Sequence, residues 1–325
     1  MNDGNELEPA VGIAYLTGAM NQFEIIEFYL DLVHRAQERG IRCAITSGMA
    51  CVAYAVAEST KDCDLLCDPD MADKFIALLA ESPLGDSPCQ YRGNISPPLD
   101  ARWLRGGWTS HFEWPGTEGY LDVFGIAPRA RASWLEEMMP PYVHPHVVAD
   151  MKRTARAKDW PFISDLGTLL LENGDPRGWL HLYDADVMQR LASHQTIPAE
   201  MIRARPLLRL AVENSPQLPA AVAAEMIFWK HASEARLKYY ERHLKPYLVA
   251  VRKAEAGFTL TLLEQHSRRI ACAEKHLPPH PLGEAEFAAM IAEARAATLR
   301  LIHPLLEEWL PDIRDNYRIL IPALS

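Results

Sequence analysis

Two aspartates one residue apart, Asp62 and Asp64, sit in the short run DCDLLCD at positions 62–68. On a strand, alternation places both carboxylates on one face and Cys63, Leu65 and Cys67 on the other. Carboxylates held side by side repel unless a cation lies between them, so the pair suits a magnesium site. Alone, such a pair more often sits harmlessly at a strand end or a turn. Fourteen positions earlier lies Gly48, where an apolar strand is expected to switch into a helix. The free N–H groups and positive dipole end of that helix suit a phosphate. Gly48 admits close backbone approach there and the Ser47 hydroxyl adds a hydrogen bond. A simple helix start capped by Ser47 is the structural alternative. The third acid, Asp122, interrupts the apolar run YLDVFG. A carboxylate there is costly unless paired, coordinated or on a solvated edge. If its strand lies beside that of Asp62 and Asp64, three acids converge.

The elements that must position these groups follow from periodicity. Apolar residues at Ile25, Ile26, Tyr29, Leu30 and Val33 predict a helix over 21–39, capped by Asn21 and ended by Gly40. A buried strand is expected over 41–47, a short helix from 49, a connection over 58–61, a strand over 62–68 and a helix over 71–81. Three strand-like stretches follow between 89 and 125 (CQYRGN, RWLRGGWTSHFEW and GYLDVFG), separated by Pro and Gly turns. Beyond Pro128 the strand signals fade, helices are expected over 134–138 and 147–172, and nearly everything after Pro176 reads as helical. The fold class is therefore α+β: a mixed-sheet domain flanked by helices over 1–173, then an all-helical C-terminal domain over 174–325, divided at Asn173-Gly174-Asp175-Pro176.

The chain has 325 residues, 49% of them hydrophobic and 23% charged, which allows two ordinary domains with sizeable cores. A net charge of -10 argues against a broad, sequence-independent grip on nucleic acid but not against a nucleotide whose charge is met by metal ions. Six cysteines without a C-x-x-C pair, most of them in apolar runs, read as buried reduced thiols. Cys63 and Cys67 lack the closer spacing usual for zinc. The polar, acidic N-terminus does not resemble a signal peptide and no run reaches a membrane span, so the expected location is cytoplasmic.

In combination, ITSGMACVAYAVAESTKDCDLLC resembles the signature of the nucleotidyltransferase superfamily, in particular its abortive-infection and toxin branch. Ser47, Gly48 and Ala50 fall on the small-residue turn, and Tyr54 and Ala55 on an aromatic–small pair. Thr60, Asp62 and Asp64 fall on the closing segment. Lys152, Arg156 and Lys158-Asp159 resemble the family's later basic helix, with Lys152 and Arg156 expected on one helix face. The resemblance covers about residues 20–172 and departs from the pattern at Ser47, where glycine is usual, and at Glu58, where arginine is usual.

It implies transfer of a nucleoside monophosphate from a nucleoside triphosphate such as ATP to an acceptor that is RNA, protein or a small molecule, as in a toxin–antitoxin or defence system. Asp62, Asp64 and Asp122 would be the catalytic and metal-binding acids. They would hold two Mg2+ ions (Mn2+ being the alternative) roughly 3.5–4 Å apart. Ser47, Gly48, Thr60, Lys152 and Arg156 would bind the nucleotide. The alternative is a catalytically silent protein that keeps the fold to bind a nucleotide or a protein partner.

The C-terminal half is less specific. Lys230, Arg236, Lys238, Arg242, Lys245, Arg252 and Lys253 interleave with Tyr239, Tyr240 and Tyr247, a pattern that serves nucleic-acid binding or a mixed-charge amphipathic helix, since Glu234 and Glu241 interrupt it. The helix reading has more weight. His144, His146, His181 and His194 read as packing residues rather than ligands, and Phe287, Ile291, Ala294 and Leu301 as core.

Overall fold

Ile25, Tyr29, Leu32, Val33 and Ala36 recur at helical spacing and all five are buried, which fixes α1 (Gln22–Glu38) against a sheet. The computed structural model describes residues 22–60, 62–93 and 95–321; the expected cap Asn21 lies outside them. Gly40, at φ 70°, turns the chain out of α1 into β1 (Cys43–Thr46), which is buried on both faces. α2 (Ser47–Ala53) follows at once, then β2 (Cys63–Cys67) and α3 (Ala72–Ala80). The strands β3 (Gln90–Tyr91), β4 (Thr109–Glu113) and β5 (Tyr120–Phe124) complete one side of the sheet.

The stretch expected to be a long strand from 102 to 114 is split. Its first part is α4 (Ala101–Arg105), because the Asp100 carboxylate accepts the Arg102 N–H and caps a helical turn that buries Trp103 and Leu104. Gly106 ends it, and a Cβ there would lie 1.7 Å from the Pro279 carbonyl oxygen. Two strands escaped the sequence reading: β6 (Met138–Met139) and β7 (Tyr142–Val143). They are too short for alternation to register, and β7 joins the sheet by pairing Tyr142 with Ile45.

The sheet has seven strands in the order β3-β4-β5-β2-β1-β7-β6. β2 is parallel to β5 and β1 to β7, while the other pairs are antiparallel. One face packs on α1 and α3 through Cys43, Ile45, Cys63, Leu65, Leu121 and Val123. The other face presents Ala44 and Leu66 to the helices that follow.

The single helix expected over 147–172 is two: α5 (Pro145–Lys152) and α6 (Asp159–Glu172). Arg153 leaves helical geometry at φ -68° and ψ 71° and donates to Asp150 and to the Leu180 carbonyl oxygen instead. The helices α7 (Ala185–Ala192), α8 (Ala199–Ala204), α9 (Leu208–Val212), α10 (Leu218–Glu255), α11 (Leu262–His276) and α12 (Glu284–Leu299) follow, with α10 packed along α11 and α12. The turn at Asn173 and Gly174 (φ 79°) closes α6. A single buried apolar cluster runs from Ala44 in the sheet to Ile321. Tyr240 and Tyr247 in α10 donate to the carbonyl oxygens of Gly106 and Ser96, both at 2.8 Å. Buried and so bonded, they are core residues and no stacking platform for bases. Leu301, expected in the core, is 68% exposed, whereas Phe287 and Ala294 are buried. Among the described residues no helix is long and apolar enough to cross a membrane.

Candidate functional site

Register places the acids. Asp64 stands directly beside Asp122 across the parallel β2–β5 pair and beside Thr46 across the antiparallel β1–β2 pair. Both aspartates point away from the face that holds Cys63, Leu65, Leu121 and Val123, as alternation requires. Asp62 precedes β2 and is exposed. The strand β1 ends beside Asp64, so Ser47, its next residue, sits over the acid pair.

Ser47 has φ 54°, in the left-handed region that glycine occupies freely. A non-glycine residue there costs about 1–3 kcal/mol, and the strain is stored beside the acids. Its side chain adjoins the Asp64 carboxylate and favours the charged form. Burial pushes the Asp64 carboxyl up to about 6, with Asp122 and Asp62 adding to the rise and Ser47 and Lys152 opposing it. Gly48 is needed for close approach, but the approaching group is Thr60. A Cβ on Gly48 would lie 2.3 Å from Thr60 Oγ1, so the glycine lets the loop before β2 lie against α2. Tyr54 donates to the Val143 carbonyl oxygen at 2.6 Å, and Ala55 follows at φ 58°, where a branched side chain would be strained further.

Lys152 and Arg156 do not share a helix face, because α5 ends at Lys152. They converge through Asp159 instead. Lys152 Nζ is 3.7 Å from Asp159 Oδ1, and Arg156 Nε is 2.8 Å from Asp159 Oδ2. Lys152 is buried and Arg156 is exposed.

Two cavities meet over the acids. The first, about 460 Å³, is lined by Ser47, Gly48, Thr60, Asp62, Asp64, Lys152 and Arg156. The second, about 430 Å³, shares Ser47, Asp62, Asp64 and Arg156 with it and adds Asp122, Arg129, Ser233 and Arg236. Each residue expected in the site therefore lines one cavity or the other.

Sequence reading missed two partners of Asp122. His111 Nδ1–H donates to its Oδ1 at 2.7 Å, and Arg92 Nη2 donates to the same oxygen at 3.0 Å. His111 sits one strand over, in register with Asp122 on β4, so alternation along β4 would have found it, while Arg92 reaches across from the end of β3. The donor set around Asp64 has the hard carboxylate oxygens that magnesium or manganese prefers. With Asp122 turned to Arg92 and His111, however, no group of three or more His, Cys, Asp or Glu side chains among the described residues is gathered to hold a metal ion.

The histidines read as packing residues include a buried hydrogen-bonded pair, His146 Nδ1 to His181 Nε2 at 2.7 Å. All six cysteines are free, five of them buried. Comparison with known protein families, with curated proteins and with solved structures gave no match.

Proposed function

We propose that this protein is a metal-dependent nucleotidyltransferase of the superfamily its sequence resembles, moving a nucleoside monophosphate from a nucleoside triphosphate to an acceptor hydroxyl. The observation that carries the reading is the side-by-side register of Asp64 and Asp122 beneath the Ser47–Gly48 turn, at the meeting of two cavities. The first cavity suits the triphosphate: Lys152 and Arg156 supply positive charge, and the turn at Ser47 and Gly48 supplies polar contacts. The second receives the acceptor beside Asp122.

In the reaction the acceptor oxygen forms a bond to the α-phosphorus as the bond to the bridging oxygen breaks. Pyrophosphate departs with that electron pair, and the hydroxyl proton passes to the Asp122 carboxylate. Asp62, Asp64 and Asp122 would hold the magnesium, whose contribution when bound is to neutralise phosphate charge. Such an arrangement requires Asp122 to turn from Arg92 and His111.

That pairing of Asp122 is also what favours a second reading, a silent protein that binds nucleotide without turning it over. Purified protein with labelled triphosphates, magnesium and candidate acceptors distinguishes them. The enzyme reading expects pyrophosphate release, reduced at least ~100-fold in Asp64→Ala. Calorimetric nucleotide binding with equal, background release in both proteins would leave the binder.

A further inference from the structure

The second cavity brings opposite charges to one space. Asp62, Asp64 and Asp122 come from the sheet and the residue leading into it, while Arg129 follows β5 and Arg236 projects from α10. Nearby ion pairs join Arg153 to Asp150 and Arg156 to Asp159. Arg129 is left without a carboxylate partner among the described residues, and its guanidinium donates to the carbonyl oxygens of Asp150 and Met151. It is 5% exposed and lies at φ 70°, a second strained backbone position at the site. Arg236 stacks over Tyr240 at 5.0 Å, and its Nε is buried with no hydrogen-bond partner. Burial and the neighbouring Arg236 and Arg153 cations together hold the Arg129 guanidinium down, at about 10.

Unpaired buried cations are costly, and a planar guanidinium is suited to phosphate oxygens. We propose that Arg129 and Arg236 form a phosphate subsite in the second cavity, so that the acceptor is a phosphate-bearing compound whose hydroxyl lies beside Asp122. The assignment to the acceptor rests on the nucleotidyltransferase reading; the anion subsite itself does not. A neutral or cationic acceptor, such as a polyamine-like small molecule, would leave both arginines uncompensated.

The test uses the full chain, with adenosine 5′-monophosphate, adenosine and inorganic phosphate as probes in calorimetry, and nucleoside triphosphate measured separately. Phosphate and the monophosphate are expected to bind, with adenosine at least ~10-fold weaker, and Arg236→Gln is expected to remove that difference. Leu237→Glu is the companion variant. Leu237 lines the same cavity and is 44% exposed, so a new carboxylate there repels the anion without disturbing the core. It should weaken phosphate binding severalfold while thermal unfolding is unchanged. Lys152→Gln should weaken the triphosphate and spare phosphate binding in the second cavity. If triphosphate fails to bind at all yet phosphate still depends on Arg236 and Leu237→Glu, the subsite stands and the nucleotidyltransferase reading falls. Phosphate binding unchanged in both Arg236→Gln and Leu237→Glu, or adenosine binding as tightly as its monophosphate, overturns the subsite.

Discussion

Two regions of this molecule bury charge, and they do so in opposite ways. Between the short turn over 176–180 and α10, Glu225 accepts from Arg205 at 2.8 Å and from Tyr183 and Trp229 at 3.1 Å each. Arg205 also donates to the carbonyl oxygens of Trp179 and Leu182. Charge meets charge there, and Glu225 is 2% exposed. Over the sheet, Asp64 lies beside Asp122 and opens into cavities lined by cations. The first region spends its electrostatics on holding α10 to the fold. The second leaves its charges beside open space. Burial of charge alone therefore does not mark a site; burial beside an opening does.

Substitutions should separate the regions by what they damage. The largest effect on stability is expected at the closed region: Glu225→Ala strands the Arg205 guanidinium and should cost about 3–5 kcal/mol in urea unfolding. Asp64→Ala should leave stability unchanged or raised, since it removes one of two adjacent carboxylates, although under the proposed reading it abolishes turnover. Equal stability losses in the two variants would erase the distinction.

Acid should act on the closed side as well. Burial, joined for His181 by nearby Arg153, holds the pKa of both His146 and His181 below the ordinary value. Both are neutral in the fold, and the unfolded chain takes up protons first. Their contribution to stability is thus present above the unfolded value near 6.5 and is lost as pH falls below it, by up to ~1.4 kcal/mol per pH unit for each histidine. Unfolding curves between pH 7 and 5 measure this slope, and substituting His146 and His181 together by Gln should flatten it.

At the open side the effects should appear in binding. Under the proposed reading, Gly48→Ala drives a methyl group into Thr60 Oγ1 and should weaken nucleotide affinity about tenfold at a stability cost below ~1 kcal/mol, with Thr60→Gly restoring affinity. The smallest effect is expected from Ser47→Gly, which relaxes the left-handed backbone and gains about 1 kcal/mol or less in thermal unfolding. Ser47→Ala keeps that strain, loses the hydroxyl beside Asp64 and should be the less stable of the two.

The sheet and its acids were legible because they obey period-two alternation. Cys63, Leu65 and Cys67 turn to one face and Asp64 to the other, and the charged Asp122 stands out in an apolar strand. What escaped was set by tertiary contact. The break after Lys152 has neither Pro nor Gly to announce it and depends on Arg153 bonding to Asp150 and Leu180. Arg92, Arg129 and Arg236 are scattered across the chain, and only folding collects them. The helix Ala101–Arg105 was hidden because Trp103 and Leu104 favour a strand as readily as a helix until Asp100 caps them.

The two cavities over Ser47, Asp62 and Asp64 have a kinetic consequence under the proposed reading. Donor and acceptor have separate cavities that overlap only at Ser47, Asp62, Asp64 and Arg156. Either can load first, and both must be present before anything is released. Initial-rate plots at several fixed acceptor concentrations should therefore intersect rather than run parallel, and no nucleotide should stay attached to the protein when the acceptor is withheld.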